Sequence, residues 1–321
     1  MPEADTFVLI PTANRPHFLR EALESVAAQD SLGRIKQVRV MENGGDHRSE
    51  EVCSQFAGLL PVSYAYRNPA VSPLEHGRLI MGEAYPCRHV AILHDDDWWA
   101  PRHLGSSLEA LEKRNAVACY SASCDIHPGN PPTLFDGSLM FALASGYQSL
   151  DRNWTMNLAS MLVANILGTP GRFSTLVARA GAFRECAHIL DTGNAFDNDR
   201  MVSVGLVLKG RVVYRPIPSV FIRAHPGQDQ RRFSDKDQFD NMLRTTVWLF
   251  AVAKERRIDL LKEFDARIKA CPKQHLEALL NRLTVPHVYQ LFRRMPDSPR
   301  ILVEFWEELE RRENPVGLAT A

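Results

Sequence analysis

The chain of 321 residues lacks the features that mark several specialised classes of protein. No apolar run is long enough to span a bilayer, and the N-terminus lacks the basic and apolar blocks of a secretion signal. The formal net charge is zero, so the molecule as a whole has no electrostatic attraction for nucleic acid or membranes. These absences predict a cytoplasmic enzyme that has no nucleic-acid partner.

Cysteine is also sparse, and none of the six cysteines stands in a C-x-x-C pair. Structural zinc sites and thiol redox centres usually carry such pairs, so neither is expected here. We predict free, buried thiols in a reducing compartment rather than a disulfide framework.

Strand-like and helix-like segments alternate through the first half of the chain. The strand-like runs are residues 7–10, 38–41, 62–66 and 88–93, and Pro16 opens the first amphipathic stretch between them. This alternation predicts an α/β fold, with a mostly parallel sheet flanked by helices. Because ligands bind at the carboxyl ends of strands in such sheets, the segments 11–15, 42–45 and 94–99 are expected to share one crevice.

The pattern changes in the second half of the chain. Residues 125–172 begin irregularly and become helix-like over 154–167. Residues 173–178 are strand-like, and 211–214 and 219–223 resemble paired edge strands. The pattern is mostly helical from about residue 233, over 235–270, 275–283 and 299–312. We therefore expect a helical C-terminal region, residues 233–321.

The most informative motif is the run of three aspartates, Asp95, Asp96 and Asp97, directly after the apolar residues 90–93. Adjacent carboxylates repel one another, so a purely structural role is hard to justify. A divalent cation removes the repulsion, because hard oxygen ligands suit Mg²⁺ or Mn²⁺. The alternative is a solvated acidic turn at a helix N-terminus, since Pro101 begins the next helix.

An ordered set of motifs resembles glycosyltransferase family 2, an inverting group with the GT-A fold. The motifs are residues 10–16 (IPTANRP), 42–45 (ENGG), 92–101 (the acidic run), Asn198-Asp199, Lys209-Gly210 and Arg223-Ala224-His225. The resemblance implies a GT-A catalytic domain at 1–232. Its nucleotide-sugar-binding, Rossmann-like half would be 1–124 and its acceptor-side half 125–232, with the helical region 233–321 following.

The resemblance also implies a role for each motif. Sugar transfer needs a neutralised leaving diphosphate, a nucleotide held in line and a base for the acceptor hydroxyl. The metal, Mn²⁺ or Mg²⁺, would be held by Asp97, Asp95 and His225. The base would be Asp199, with Asp197 as the second candidate. The donor-binding residues would be Pro11, Thr12, Asn14, Arg15, Glu42, Asp95, Asp96 and Arg223.

The expected partners follow from the same resemblance. The donor would be a nucleotide-diphosphate sugar, with UDP favoured over GDP or dTDP, and the acceptor a glycan, a glycolipid or a small molecule. Trp98, Trp99 and Trp154 are candidates for stacking on an acceptor sugar, although core packing is favoured for Trp154 and for one of the other two. The C-terminal helices are expected to pack on the catalytic domain or on a second subunit, and contact with the inner face of the membrane is left open.

Three departures from the family pattern keep other functions open. Ala13 replaces an aromatic residue, Glu42 replaces an aspartate, and Asn198 replaces the first acid of a pair. A nucleotidyltransferase would share the fold, but residues 12–16 contain no glycine of the kind found in phosphate loops. Asn198 leaves open a degenerate domain that binds a sugar nucleotide without turnover.

Overall fold

The computed structural model describes residues 3–135, 137–146, 153–192, 198–228 and 234–272. The strands are β1 Thr6–Thr12, β2 Ile35–Asn43, β3 Val62–Arg67, β4 His89–Ile92, β5 Trp98–Trp99, β6 Ala118–Ile126, β7 Thr133–Leu134, β8 Trp154–Met156, β9 Leu176–Arg179 and β10 Val212–Arg223. The α-helices are α1 Pro16–Ala27, α2 Arg48–Phe56, α3 Pro73–Gly82, α4 His103–Lys113, α5 Gly137–Ala144, α6 Leu158–Leu167, α7 Ala180–Glu185, α8 Asn198–Lys209, α9 Asp235–Glu255 and α10 Leu260–Ala270. Short 3₁₀ turns occupy Leu32–Arg34, Phe173–Thr175 and Ala187–Thr192.

The strands form one sheet in the order β3-β2-β1-β4-β9-β6-β10-β5, with β7 beside β6 and β8 beside β10. Strand β1 is parallel to both β2 and β4, β2 is parallel to β3, and β6 is parallel to β10. Strand β9 runs antiparallel between β4 and β6. The predicted α/β fold with a mostly parallel sheet is confirmed, and β9 is the main reversal within it.

Strand β1 shows why helices cover both faces of the sheet. Successive side chains of a strand point to opposite faces, and here every one of them is apolar over four positions. Val8 and Ile10 pack in a core that contains Leu19 and other residues of α1. Phe7 and Leu9 pack in the core on the other face, with residues of α6 and α8.

Several predicted elements of the second half differ from the structure. The helix expected over 154–167 is a strand, β8, followed by α6, because the Asn157 side chain accepts the Ser160 amide and caps the helix there. The strand expected over 173–178 begins only at Leu176. The two edge strands expected at 211–214 and 219–223 are one interior strand, β10. Its pairing register shifts around Pro218, because proline cannot donate to the ladder.

Helices α9 and α10 pack on the core formed by earlier elements of the chain. Ser234 and Asp237 form a capping box that begins α9. Leu249 and Phe264 are fully buried in the same core as α6. The helix predicted over 235–270 is interrupted after Glu255, and the helices predicted over 275–283 and 299–312 lie outside the described residues. None of the described helices is both long enough and apolar enough to cross a membrane.

Candidate active site

The carboxyl ends of β1 and β4 bring together the first predicted motif and the acidic run. These strands are adjacent and parallel, so the residues after each of them meet at one edge of the sheet. The Thr12 hydroxyl donates to Asp95 Oδ2 at 2.6 Å. Arg15 Nη2 lies 2.8 Å from Asp95 Oδ1, and Arg15 Nη1 donates to Asp96 Oδ2 at 2.9 Å. The site is therefore built around an arginine that contacts two buried carboxylates.

The three aspartates differ in their electrostatic surroundings. Burial raises the pKa of Asp95, while the adjacent Arg15 opposes that rise. Burial alone would also raise the pKa of Asp96, but Arg15, His94 and His225 together lower it. Burial raises the pKa of Asp97 well above its usual range, and the negative charge of Asp96 adds to the rise. A further positive charge would therefore stabilise Asp97 more than its neighbours.

Both oxygens of Asp97 are held by neutral donors. The Ser174 hydroxyl donates to Oδ2 at 2.5 Å, and the backbone amide of Arg223 donates to Oδ1 at 3.1 Å. Ser174 was not among the residues predicted from the sequence. It lies 77 positions from Asp97 in the chain and carries no motif, so only the position of β9 beside β4 reveals it.

A divalent cation fits a ligand set that differs from the predicted one. Donor atoms of His94, Asp96 and Asp97 lie within 4.8 Å of one another, a spacing that suits a single ion. The two carboxylates suit Mn²⁺ or Mg²⁺, and a cation would offset the burial of Asp97. Asp95 and His225 were predicted as ligands. In the structure Asp95 instead binds Arg15, and His225 Nε2 lies 2.9 Å from Asp96 Oδ2.

Arg223 joins the end of β10 to helix α1. Its guanidinium lies between the rings of Phe18 and Trp98, 4.7 Å and 4.9 Å from their centroids. Its Nε donates to the Asp96 carbonyl at 3.2 Å, and Nη2 donates to the Glu21 carboxylate. Arg223, the predicted donor-binding arginine, therefore has protein partners in this structure and links the acidic run to α1.

Glu42 lies in the predicted crevice but is almost completely buried. Its Oε1 accepts the Ser49 hydroxyl at 2.8 Å and the Asn14 amide at 3.3 Å, and its Oε2 accepts the Tyr64 hydroxyl. The predicted hydrogen bond from the nucleotide to Glu42 would therefore compete with protein donors. Pro11 lies half-buried at the end of β1, in register with Met41.

Asp199 lies in the first turn of α8 and is half-buried. The Phe173 backbone amide donates to its Oδ2 at 3.3 Å. The second predicted base, Asp197, lies outside the described residues. The buried Oδ1 of Asn198 has no hydrogen-bond partner among the described residues.

The three tryptophans are not equivalent. Trp98 is half-buried and stacks on Phe221, with 5.5 Å between ring centroids. Trp99 is only 2% exposed, and its indole nitrogen donates to the Ser174 carbonyl at 2.8 Å. Trp154 is fully buried and stacks on Tyr214. The acceptor contacts predicted for Trp99 and Trp154 are corrected to core packing, because neither ring has a free face.

A mostly parallel sheet with an acidic run at its carboxyl edge is the arrangement of the GT-A fold, and comparison with known families agrees with it. Residues 7–163 match the model of Glycosyl transferase family 2. The predicted resemblance to this family is confirmed over this region. The match supports the predicted class of enzyme, a glycosyltransferase.

Solved structures show the same fold. The structure resembles S. aureus TarS with a TM-score of 0.58 at 12% identity, covering 96% of this chain and 52% of that one. It resembles TarS 1–349 in complex with UDP-GlcNAc with a TM-score of 0.57 at 13% identity, covering 95% of this chain and 92% of that one. The complex of the same fragment with UDP gives 0.53 at 13% identity, covering 95% and 91%. This chain thus spans about half of the longer TarS chain. A search of curated protein sequences gave no match.

Proposed function

We propose that this protein is an inverting glycosyltransferase that moves a sugar from a UDP-sugar to a hydroxyl group of a glycan, a glycolipid or a small-molecule acceptor. The family match over residues 7–163 supports a nucleotide-sugar donor. The TarS complexes with UDP-GlcNAc and UDP favour uridine over guanosine or thymidine as the donor nucleoside. GDP- and dTDP-sugars are the alternatives that a binding screen must include.

The arrangement around the acidic run is the observation that carries the proposal. Thr12 and Arg15 bind Asp95 from the end of β1, at the sheet edge where nucleotides bind in such folds. We propose that His94, Asp96 and Asp97 hold Mn²⁺ or Mg²⁺ at this edge. The bound cation would supply positive charge to the diphosphate as that group leaves.

Asp199 is the proposed general base. It would accept the proton of the acceptor hydroxyl, whose oxygen attacks the anomeric carbon from the face opposite the diphosphate. The bond from that carbon to the UDP oxygen breaks as the new bond forms, so the anomeric configuration inverts. The hydrogen bond from the Phe173 amide would hold the Asp199 carboxylate in a fixed orientation for this step. Among the three tryptophans, Trp98 is the proposed acceptor contact.

Calorimetric titration tests the donor site. UDP, GDP and dTDP are titrated into the protein with Mn²⁺ and again with excess chelator. UDP should bind most tightly, and only with the metal. The variant Asp97→Asn should remain folded and lose most of the Mn²⁺-dependent binding. Equal binding of UDP in excess chelator would contradict a metal-dependent site.

A transfer assay separates an enzyme from a binding domain. If the protein binds UDP with Mn²⁺ but neither hydrolyses nor transfers any UDP-sugar, the degenerate domain suggested by Asn198 is the better description. If a product forms, its anomeric configuration is measured by NMR. A product that retains the configuration of the donor would exclude single displacement.

A further inference from the structure

Ser174 holds the acidic run at several points, although it belongs to none of the motifs. It is 1% exposed and lies in the 3₁₀ turn Phe173–Thr175, which we call the Ser174 turn. Its hydroxyl donates to Asp97 Oδ2 at 2.5 Å and accepts the His94 amide at 3.1 Å. Its carbonyl accepts the Trp99 indole N–H at 2.8 Å. One residue therefore binds the acidic run before, within and after its aspartates.

The same turn also contacts the proposed base. The Phe173 amide, one position before Ser174, donates to Asp199 Oδ2 at 3.3 Å. The turn is continuous with β9, which pairs with β4 on one side and β6 on the other. The contacts to Asp97 and Asp199 come from consecutive residues, Ser174 and Phe173, in the turn directly before β9. The turn therefore fixes the position of Asp97 relative to Asp199.

We propose that Ser174 is a positioning residue, which orients Asp97 for the divalent cation and couples that carboxylate to Asp199. This inference rests on the proposed glycosyltransferase function. The terminal torsion of an aspartate is broad, so a carboxylate keeps one orientation only when its neighbours hold it. Partners that hydrogen-bond a metal ligand orient it in this way, and their loss typically costs about 10- to 100-fold in metal affinity or activity.

The experiment measures how UDP binding depends on Mn²⁺ in the intact protein. UDP is titrated calorimetrically at a series of Mn²⁺ concentrations into the wild type and into Ser174→Ala. The Mn²⁺ concentration needed for half-maximal UDP binding should rise about 10- to 100-fold in the variant. In excess chelator, UDP binding should be absent or equally weak in the two proteins. In a transfer assay at saturating Mn²⁺, kcat should also fall, because Asp199 is held by the same turn.

Two further variants make the result decisive. Ser107→Ala is the control, because it removes another fully buried serine hydroxyl, which accepts a hydrogen bond from Arg215 rather than binding the acidic run. This variant should keep the wild-type Mn²⁺ dependence. If Ser174→Ala does not fold, Ser174→Cys keeps nearly the same size with a weaker donor and should show the shift. A folded Ser174 variant with wild-type Mn²⁺ dependence would overturn the inference. A wild type that fails to bind UDP with Mn²⁺ would instead overturn the proposed function.

Discussion

Each aspartate of the acidic run meets different partners, although the three are adjacent in sequence. Asp95 forms an ion pair with Arg15, which opposes the rise in pKa that burial causes. Asp96 shares Arg15 and also faces His225. Asp97 receives hydrogen bonds from a hydroxyl and an amide, neither of which is charged. A run of like charges is thus divided into an ion pair that supports the site and a carboxylate that a cation would stabilise.

The first prediction concerns Arg15→Met, which removes the positive charge beside Asp95. Breaking a buried pair leaves an uncompensated buried charge, so the free energy of unfolding should fall by about 3–5 kcal/mol at pH 8. Urea unfolding measures this loss. As a control, Arg48→Met breaks an exposed pair with Asp46 and should cost about 1 kcal/mol or less. Equal losses in the two variants would show that Arg15 does not neutralise the acidic run.

The second prediction concerns Asp199→Asn, which keeps the size of the side chain and its acceptor oxygen but cannot take a proton. UDP binding should be unchanged, while the rate of transfer should fall by about a hundred- to ten-thousand-fold. Steady-state transfer assays and UDP titration measure the two effects separately. Asp197→Asn is the matched control and should lose less activity. If Asp197→Asn is the slower variant, the assignment of the base must be exchanged.

The sequence predicted those site residues that directly follow a strand. Thr12 ends β1, Arg15 lies just after it, and Asp95 lies just after β4, so the edge of the sheet brings them together. Ser174 and the proposed role of His94 as a cation ligand could not be predicted. They depend on β9 lying beside β4 and on the orientation of one imidazole, and neither fact leaves a local pattern in the sequence.

At the scale of elements, prediction succeeded where the spacing of apolar residues matched only one kind of element. The helix predicted to begin at Pro16 does begin there, with proline in its first turn and a buried apolar face. Prediction failed at β10, where residues 211–214 and 219–223 were expected to be two paired edge strands. The strand continues through a register shift around Pro218, because β6 pairs with it on both sides of that shift.

The third prediction concerns the loop between β2 and α2, which borders the proposed nucleotide site. Gly45 has a φ of +103°, and a Cβ there would lie 3.1 Å from Asn14 Cβ and from Glu42 Oε1. Gly45→Ala should therefore lower the free energy of unfolding by about 1–2 kcal/mol and weaken UDP binding, because Asn14 must shift. Gly33→Ala is the control, because a Cβ at Gly33 meets no atom within 4 Å. Urea unfolding and UDP titration should show little change in that variant.

At the scale of the whole molecule, helices α9 and α10 complete the core rather than forming a separate body. Leu249 and Phe264 lie in the same core as residues of α6 and β10. Their amphipathic pattern predicted a buried face, but one chain cannot reveal whether such a face covers its own domain, a second subunit or a membrane. The structure shows packing on α5 and α6, and association with a second subunit stays a prediction.

Buried ionisable groups also make the stability of the whole molecule depend on pH. His76, His89 and His103 are buried, and burial lowers the pKa of each imidazole. In the unfolded chain these groups bind protons below about pH 6.5. The unfolded state then binds more protons than the native state, so these histidines reduce stability as pH falls through that value. The raised pKa of Asp97 acts in the opposite direction, because its carboxyl binds a proton more readily in the native state.

The fourth prediction isolates one histidine from these opposing effects. Burial lowers the pKa of His103 well below its usual value. The Nδ1 atom of His103 lies 3.0 Å from the Ser219 hydroxyl. A glutamine amide can replace this contact. The free energy of unfolding of wild type and His103→Gln is measured in urea from pH 8 to about pH 5.5. Both proteins contain Asp97, so its contribution cancels in the difference between them.

Below about pH 6.5 the wild type should lose stability relative to the variant, by up to about 1.4 kcal/mol per pH unit. Above about pH 7.5 the difference should be constant, because His103 is then neutral in both states. Parallel curves across the whole range would mean that His103 is protonated as readily in the native protein as in the unfolded chain.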